Sequence, residues 1–169
     1  MSDALKPSRR LTVLAFCLAV AIIAADQISK AWVLFVLDLP GMQSLPFFGP
    51  IKLSMVWNRG VSFGLFRADH EVMRWILVAF SLGVTLILAG WSLKVERPRM
   101  ALALGLIMGG AIGNLIDRIR WGAVCDFIDA SALYFPWVFN IADSAISIGV
   151  VILILDSFLT PQTTPETKA

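Results

Sequence analysis

Residues 105–148 read GLIMGGAIGNLIDRIRWGAVCDFIDASALYFPWVFNIADSAISI. Two long apolar runs approach each other across this stretch, and the polar side chains collect where those runs end. Asn114, Asp117 and Arg118 close the first run, Asp126 lies between the runs, and Asn140 and Asp143 open the second. Gly110, Asn114, Asp117 and Arg118 follow one another at helical spacing, so they share a face of one helix. Asn140 and Asp143 are i,i+3 and share a face of the next. If the two faces meet, one pocket holds two amides, several carboxylates and a guanidinium.

Composition says which solvent surrounds those runs. Of 169 residues, 58% are hydrophobic and only 15% charged, against about 45–50% and 25% in ordinary soluble domains. The mean hydropathy is +0.80. The expected fold class is an all-α membrane protein: four transmembrane helices and a small periplasmic β-hairpin or cradle, in one integral-membrane domain over 1–169. A net charge of +2 gives no footprint for a nucleic-acid partner. The chain has one His (His70) and two Cys, with Cys17 in an apolar run and Cys125 in a polar loop. That set carries no transition-metal signature and predicts no disulfide. No cofactor is expected, and the protein is expected to act as a monomer.

The expected spans are 11–30, 73–93, 100–117 and 140–159. The uncharged run from Leu11 to Ala25 is short for a bilayer, so the first span continues through Asp26-Gln27-Ile28-Ser29-Lys30. Asp26 and Lys30 are i,i+4 with the acid first, the better order for a helical pair; Lys30 is also placed to snorkel toward headgroups. A basic head before an apolar run also describes a cleaved signal peptide, and Leu14-Ala15-Phe16-Cys17 resembles a lipid-attachment box. Phe16 is bulky where a small residue is needed, and three more spans follow, so an uncleaved first helix is the better reading.

Residues 40–68 form the expected β element. Ile51, Leu53 and Met55 alternate with polar residues, as do Val61, Phe63 and Leu65, and Asn58-Arg59-Gly60 lies between them as a hairpin turn. Residues 117–139 are expected to be a loop exposed at the same end, from which Cys125 is reachable by thiol reagents. The tail after Pro161 is expected to be disordered. Four spans put both termini on one side. A raw count of Lys and Arg ties, but Arg9-Arg10 and the Lys94–Arg99 loop are the clusters next to span ends that the positive-inside rule weighs. The termini are therefore expected in the cytoplasm, with the hairpin and the 117–139 loop outside.

Each polar residue has a plainer reading. Asp117 suits a salt-bridge cluster with Arg118 and Arg120. Asp129 suits an exposed loop, and Asp156 the far boundary of span four. Asn140 suits an N-cap, and Gly109, Gly110 and Gly113 suit close helix packing. Asp143 resists such a reading, because it sits inside a span that can begin without it. Asp126 gains weight as its partner: two carboxylates sharing one site cannot both ionise easily, and one pKa rises. The rival readings are a proton-coupled carrier subunit, an Mg²⁺ or Ca²⁺ site of oxygen ligands, and a structural subunit. Carriers place their acids near the bilayer midplane, often in repeats; here the acids sit at one end and no repeat is visible.

The same residues carry a family resemblance. DQISK (26–30), NRGVSFG (58–64), GGAIGNLIDR (109–118), VCDF (124–127) and FNIADSAI (139–146) come in the order and spacing of bacterial lipoprotein signal peptidases, signal peptidase II. Any one block is a modest signal; five across nearly the whole chain are specific. The resemblance implies an aspartyl endopeptidase of the bacterial inner membrane whose dyad falls on Asp126 and Asp143. It implies that Asn58, Gly60, Asn114, Arg118 and Asn140, with Asp26 and Lys30, line or brace the site. It implies as substrate a prolipoprotein whose Cys carries diacylglycerol, cut before that Cys at the periplasmic face, with membrane lipid around it. Arg59 stands where the family often has Thr, Val61-Ser62 where it often has Ala-Ala, and Cys125 where Val is common; none removes a polar group that the chemistry needs.

Overall fold

The structure, a computed structural model, describes residues 7–60 and 70–159. Four of its helices are long and apolar enough to cross a membrane: Arg9–Val36, Glu71–Ser92, Pro98–Trp121 and Ile141–Leu159. They are α1 (Arg9–Ala31, extended by a π-helical turn over Trp32–Val36), α3 (His70–Ser92), α4 (Pro98–Trp121) and α5 (Ile141–Leu159), with a single turn α2 at Leu39–Met42. The chain is a multi-pass membrane protein. The helices overlap the expected spans 11–30, 73–93, 100–117 and 140–159, and the first runs on to Val36. The expected disordered tail after Pro161 lies outside the described residues.

α4 is the central helix, packed on α1, α3 and α5. Its glycines make that possible. A Cβ on Gly109 would stand 2.8 Å from the Ala19 carbonyl oxygen on α1, and one on Gly110 would collide with the Ala142 carbonyl oxygen on α5. In lipid, where apolar burial between helices gains little, such close backbone approach is what holds helices together. Toward the end opposite the site, Ala15, Ala19, Leu88, Met100, Leu104 and Met108 fill the space between α1, α3 and α4. At that end Arg97 lies 3.0 Å from Asp156, so Asp156 is a buried ion-pair partner rather than a bare span boundary.

The opposite end carries a four-stranded antiparallel sheet in the order β1-β2-β3-β4, with β1 Ser44–Phe48, β2 Ile51–Asn58, β3 Val124–Asp129 and β4 Val138–Phe139. This corrects two expectations. β2 turns back onto β1 through Gly49-Pro50, not through Asn58-Arg59-Gly60; the expected partner strand with Val61, Phe63 and Leu65 lies outside the described residues. The segment 117–139 is also more than a loop, since β3 pairs with β2 and β4 with β3. β3 forms because Cys125 and Phe127 point into an apolar cluster with Val33, Leu39 and Leu53, while Asp126 between them faces the other way. α4 ends at Gly122, whose φ of +73° is the left-handed conformation that closes many helices, and its N–H donates to the Arg118 carbonyl.

Gly110→Ala should separate α4 from α5, with an overpacking cost of about 1–3 kcal/mol. Gly90, on α3 with open space beside it, is the control. Thermal melting in detergent should show a loss for Gly110→Ala and none for Gly90→Ala.

Candidate active site

The site sits where β3, the first turn of α5 and the end of α4 converge. Asp126 projects from β3 opposite Val56 of β2, beside a bulge between Leu53 and Val56 that bends the strand; bulges recur next to active sites. Each oxygen of Asp126 accepts one amide hydrogen bond: Asn140 Nδ2 donates to Oδ1 at 2.7 Å and Asn58 Nδ2 to Oδ2 at 3.0 Å. Asp143 is treated alike. Asn114 Nδ2 donates to its Oδ1 at 2.7 Å, and the Asn140 backbone N–H to its Oδ2 at 3.3 Å. The structure thus brings Asp126, Asp143, Asn58, Asn114 and Asn140 into one network.

Asn140 is the bridge. Its Oδ1 accepts the Asp143 N–H at 2.9 Å while the Asp143 carboxylate reaches back to the Asn140 N–H. That is a capping box, with Asp in the position Glu or Gln usually holds. Its Nδ2 meanwhile serves Asp126 and, at 3.1 Å, Asn114 Oδ1. Asn140 can cap the helix and hold Asp126 at once, because an amide has a separate acceptor and donor for each. Gly60 acts through Asn58: its N–H donates to Asn58 Oδ1 at 2.8 Å, which leaves Nδ2 for Asp126. Its φ is +79° and a Cβ would strike the Leu77 side chain, so glycine is required there.

Behind this network Asp26, Lys30 and Asp117 are fully buried. Lys30 Nζ lies 2.7 Å from Asp26 Oδ2 and 2.6 Å from Asp117 Oδ2. The i,i+4 pair is present as expected, but Lys30 turns inward rather than toward headgroups, because two carboxylates offer it more than lipid phosphates do. Asp117 accordingly pairs with Lys30 and not with Arg118 or Arg120, whose guanidinium lies over the Trp121 ring. Arg118 reaches the Asn114 carbonyl at 3.4 Å and acts on Asp143 and Asp126 through its charge. Asp129, expected on an exposed loop, is in β3 and accepts from Ser54 and the Ser131 N–H.

Burial pushes the Asp126 carboxyl up to about 6, and the charge of Asp143 adds to it; the bonds from Asn58 and Asn140 pull the other way. Burial likewise raises the Cys125 thiol to about 12. Cys125 is fully buried, so the expected thiol labelling is corrected: the side chain faces the core under the sheet and stays protonated. Both dyad carboxylates line a cavity of about 650 Å³. Leu133, Phe135, Trp137 and Phe139 form its apolar wall, and Ser144, Ser147 and Ile148 continue it along α5. The aromatic residues of 133–139 were not singled out in the sequence; their crowding in LYFPWVF was the available signal. This arrangement sets two carboxylates at the foot of an apolar groove.

Comparison with known proteins agrees with the geometry. Residues 18–159 match the family model described as signal peptidase (SPase) II. A lipoprotein signal peptidase of Caulobacter vibrioides is 55% identical over 150 residues, covering 88% of this chain and 89% of the relative. One from Methylorubrum extorquens is 46% identical over 148 residues, covering 87% and 86%. A bacterial membrane enzyme solved by the in meso method superposes with a TM-score of 0.79 at 24% identity, covering 94% of this chain and all of that one, which speaks for the fold. Four membrane helices, a small antiparallel sheet at one end and a matching family model over most of its length make this chain a member of the signal peptidase II family.

Proposed function

We propose that this chain is an aspartyl endopeptidase that removes the signal peptide from diacylglycerol-modified prolipoproteins, cutting before the lipidated Cys. The observation that carries the reading is that Asp126 and Asp143, bridged by Asn140, both open into one apolar-walled cavity. Two carboxylates sharing one site hold one proton between them, as in the aspartic proteases. The ionised member takes a proton from water, and the protonated member polarises the scissile carbonyl; the proton belongs to the pair rather than to either residue. Asn114 and Asn140 hold the carboxylates by N–H donation and stand ready to stabilise charge in the tetrahedral intermediate. The cavity wall of Leu133, Phe135, Trp137 and Phe139 suits acyl chains and an apolar signal helix.

One domain and one copy suffice for this reading, since Asp126, Asp143, Asn58, Asn114 and Asn140 all come from one chain. Its place is the bacterial inner membrane. Arg9, Arg10, Lys94, Arg97 and Arg99 lie at the end of the helices away from the site, and by the positive-inside rule this supports termini in the cytoplasm and a site at the periplasmic face.

Three measurements bear on this. Asp126→Asn and Asp143→Asn should each lower turnover of a purified lipid-modified precursor by about 10²–10⁴-fold, with the protein still inserted; near-normal turnover by either would falsify the aspartyl mechanism.

The second is a pH profile. The Asp126 pKa is raised above its ordinary 3.8, so its contribution to stability is complete below about 4 and is lost as pH rises through about 6. The Asn58 donor favours the ionised form, so Asn58→Ala should raise that pKa further. The alkaline limb of kcat/KM should move up by roughly half a unit or more, and a downward shift contradicts the assignment.

The third is topology. Tyr134 is 99% exposed beside the sheet. In cells, Tyr134→Cys should react with a membrane-impermeant maleimide from the periplasm, while the native Cys125 should not; labelling only after the inner membrane is opened would reverse the orientation.

A further inference from the structure

The ion cluster under the site does more than fill space. Asp117 Oδ2 accepts the Cys125 backbone N–H at 3.1 Å, and Asp26 Oδ1 accepts the Ala142 N–H at 3.0 Å. Cys125 immediately precedes Asp126, and Ala142 immediately precedes Asp143. Each member of the dyad is therefore carried by a peptide pinned to a buried carboxylate, one in β3 and one in the first turn of α5. Lys30 joins the two pins, with Nζ at 2.7 Å from Asp26 Oδ2 and 2.6 Å from Asp117 Oδ2. Gln27 Nε2 ties the same carboxylates from a second side, at 3.1 Å to Asp26 and 2.9 Å to Asp117.

We propose that Lys30 and Asp117 are positioning residues that set the separation and aim of the two dyad carboxylates. A purely stabilising role is a poor account of the cluster. Replacing a buried ion pair with apolar side chains is often neutral or stabilising, and glycines already hold α1, α4 and α5 together. What apolar packing does not supply is a directional bond to a chosen peptide N–H. Charge-assisted bonds are about twice as strong as neutral ones, and Lys30 lies against both acceptors. The linkage also gives the two halves of the dyad a common reference in α1, a helix that contributes no dyad residue. Lys30 further reaches Asn114 Oδ1 at 3.4 Å, the amide whose Nδ2 holds Asp143.

This inference rests on the aspartyl reading, and Asp126→Asn is run alongside to keep the two apart. Asp117→Ala removes the pin at Cys125, whereas Asp117→Asn keeps a neutral acceptor. kcat and KM for a lipid-modified precursor, thermal melting in detergent, and the pH profile of kcat/KM are measured for each. The charges facing the dyad are Asp26, Lys30, Asp117 and Arg118. Asp117→Ala should lower kcat about 10- to 100-fold, the scale of a small misplacement of catalytic groups, with KM within about twofold. Asp117→Asn should lose less, about three- to tenfold. In both, the spacing between the acid and alkaline limbs should change, because the coupling between two carboxylates depends on their distance. If Asp117→Ala does not accumulate as folded protein, Asp117→Asn decides alone. Wild-type kcat and limb spacing in a folded Asp117 variant overturn the proposal, as does a kcat loss that merely follows folded protein. Either result with an inactive Asp126→Asn leaves the aspartyl reading standing; an active Asp126→Asn removes both.

Discussion

A carboxylate at the edge of a hydrocarbon layer must be met by donors, since desolvation disfavours its charge. Most of the polar architecture of this chain follows from that requirement. Asp126 and Asp143 receive two N–H groups each, and those donors come from β2, α4 and the cap of α5. Meeting the requirement therefore dictates where those three elements lie. Neutral amides do the work at the dyad. An amide supports a carboxylate without neutralising it, so the charge of Asp143 still acts on Asp126. The full cation, Lys30, is held one layer back, where it balances Asp26 and Asp117 instead.

The division of labour extends to the apolar residues. Glycines on α4 bring backbones within contact of α1 and α5, and that closeness is what lets Asn114 on α4 reach Asp143 on α5. The sheet is tied down independently. Val33 and Leu39 pack under Leu53, Cys125 and Phe127, and Trp57 meets Trp121 edge to face at 5.8 Å between ring centres. Asp126 thus stands on a platform whose underside is apolar and whose upper side opens to the cavity.

Much of this was legible in the sequence, for physical reasons. The spans were visible because lipid demands long uncharged runs. Asp143 stood out because it sits inside a span that can begin without it, while its part in the cap with Asn140 was not legible. The sheet was half hidden. β2 alternates and was found, but β3 carries Cys125 and Phe127 toward the core with acids between and after them, and short polar-interrupted runs resemble loops. One pairing partner was hidden too, since β3 is separated from β2 in the chain by two membrane helices. The inward turn of Lys30 was unreadable because its second partner, Asp117, is 87 residues away. The double duty of Asn140 was unreadable because cap and donor use different atoms of one amide.

The split origin of the sheet has a consequence for biosynthesis. β1 and β2 emerge between the first and second spans, β3 and β4 between the third and fourth. Asp143 arrives only with the last span, and Asp126 takes its place only when β3 finds a strand made much earlier. A partly synthesised chain therefore lacks the Asp126 and Asp143 pair until its last span has been made.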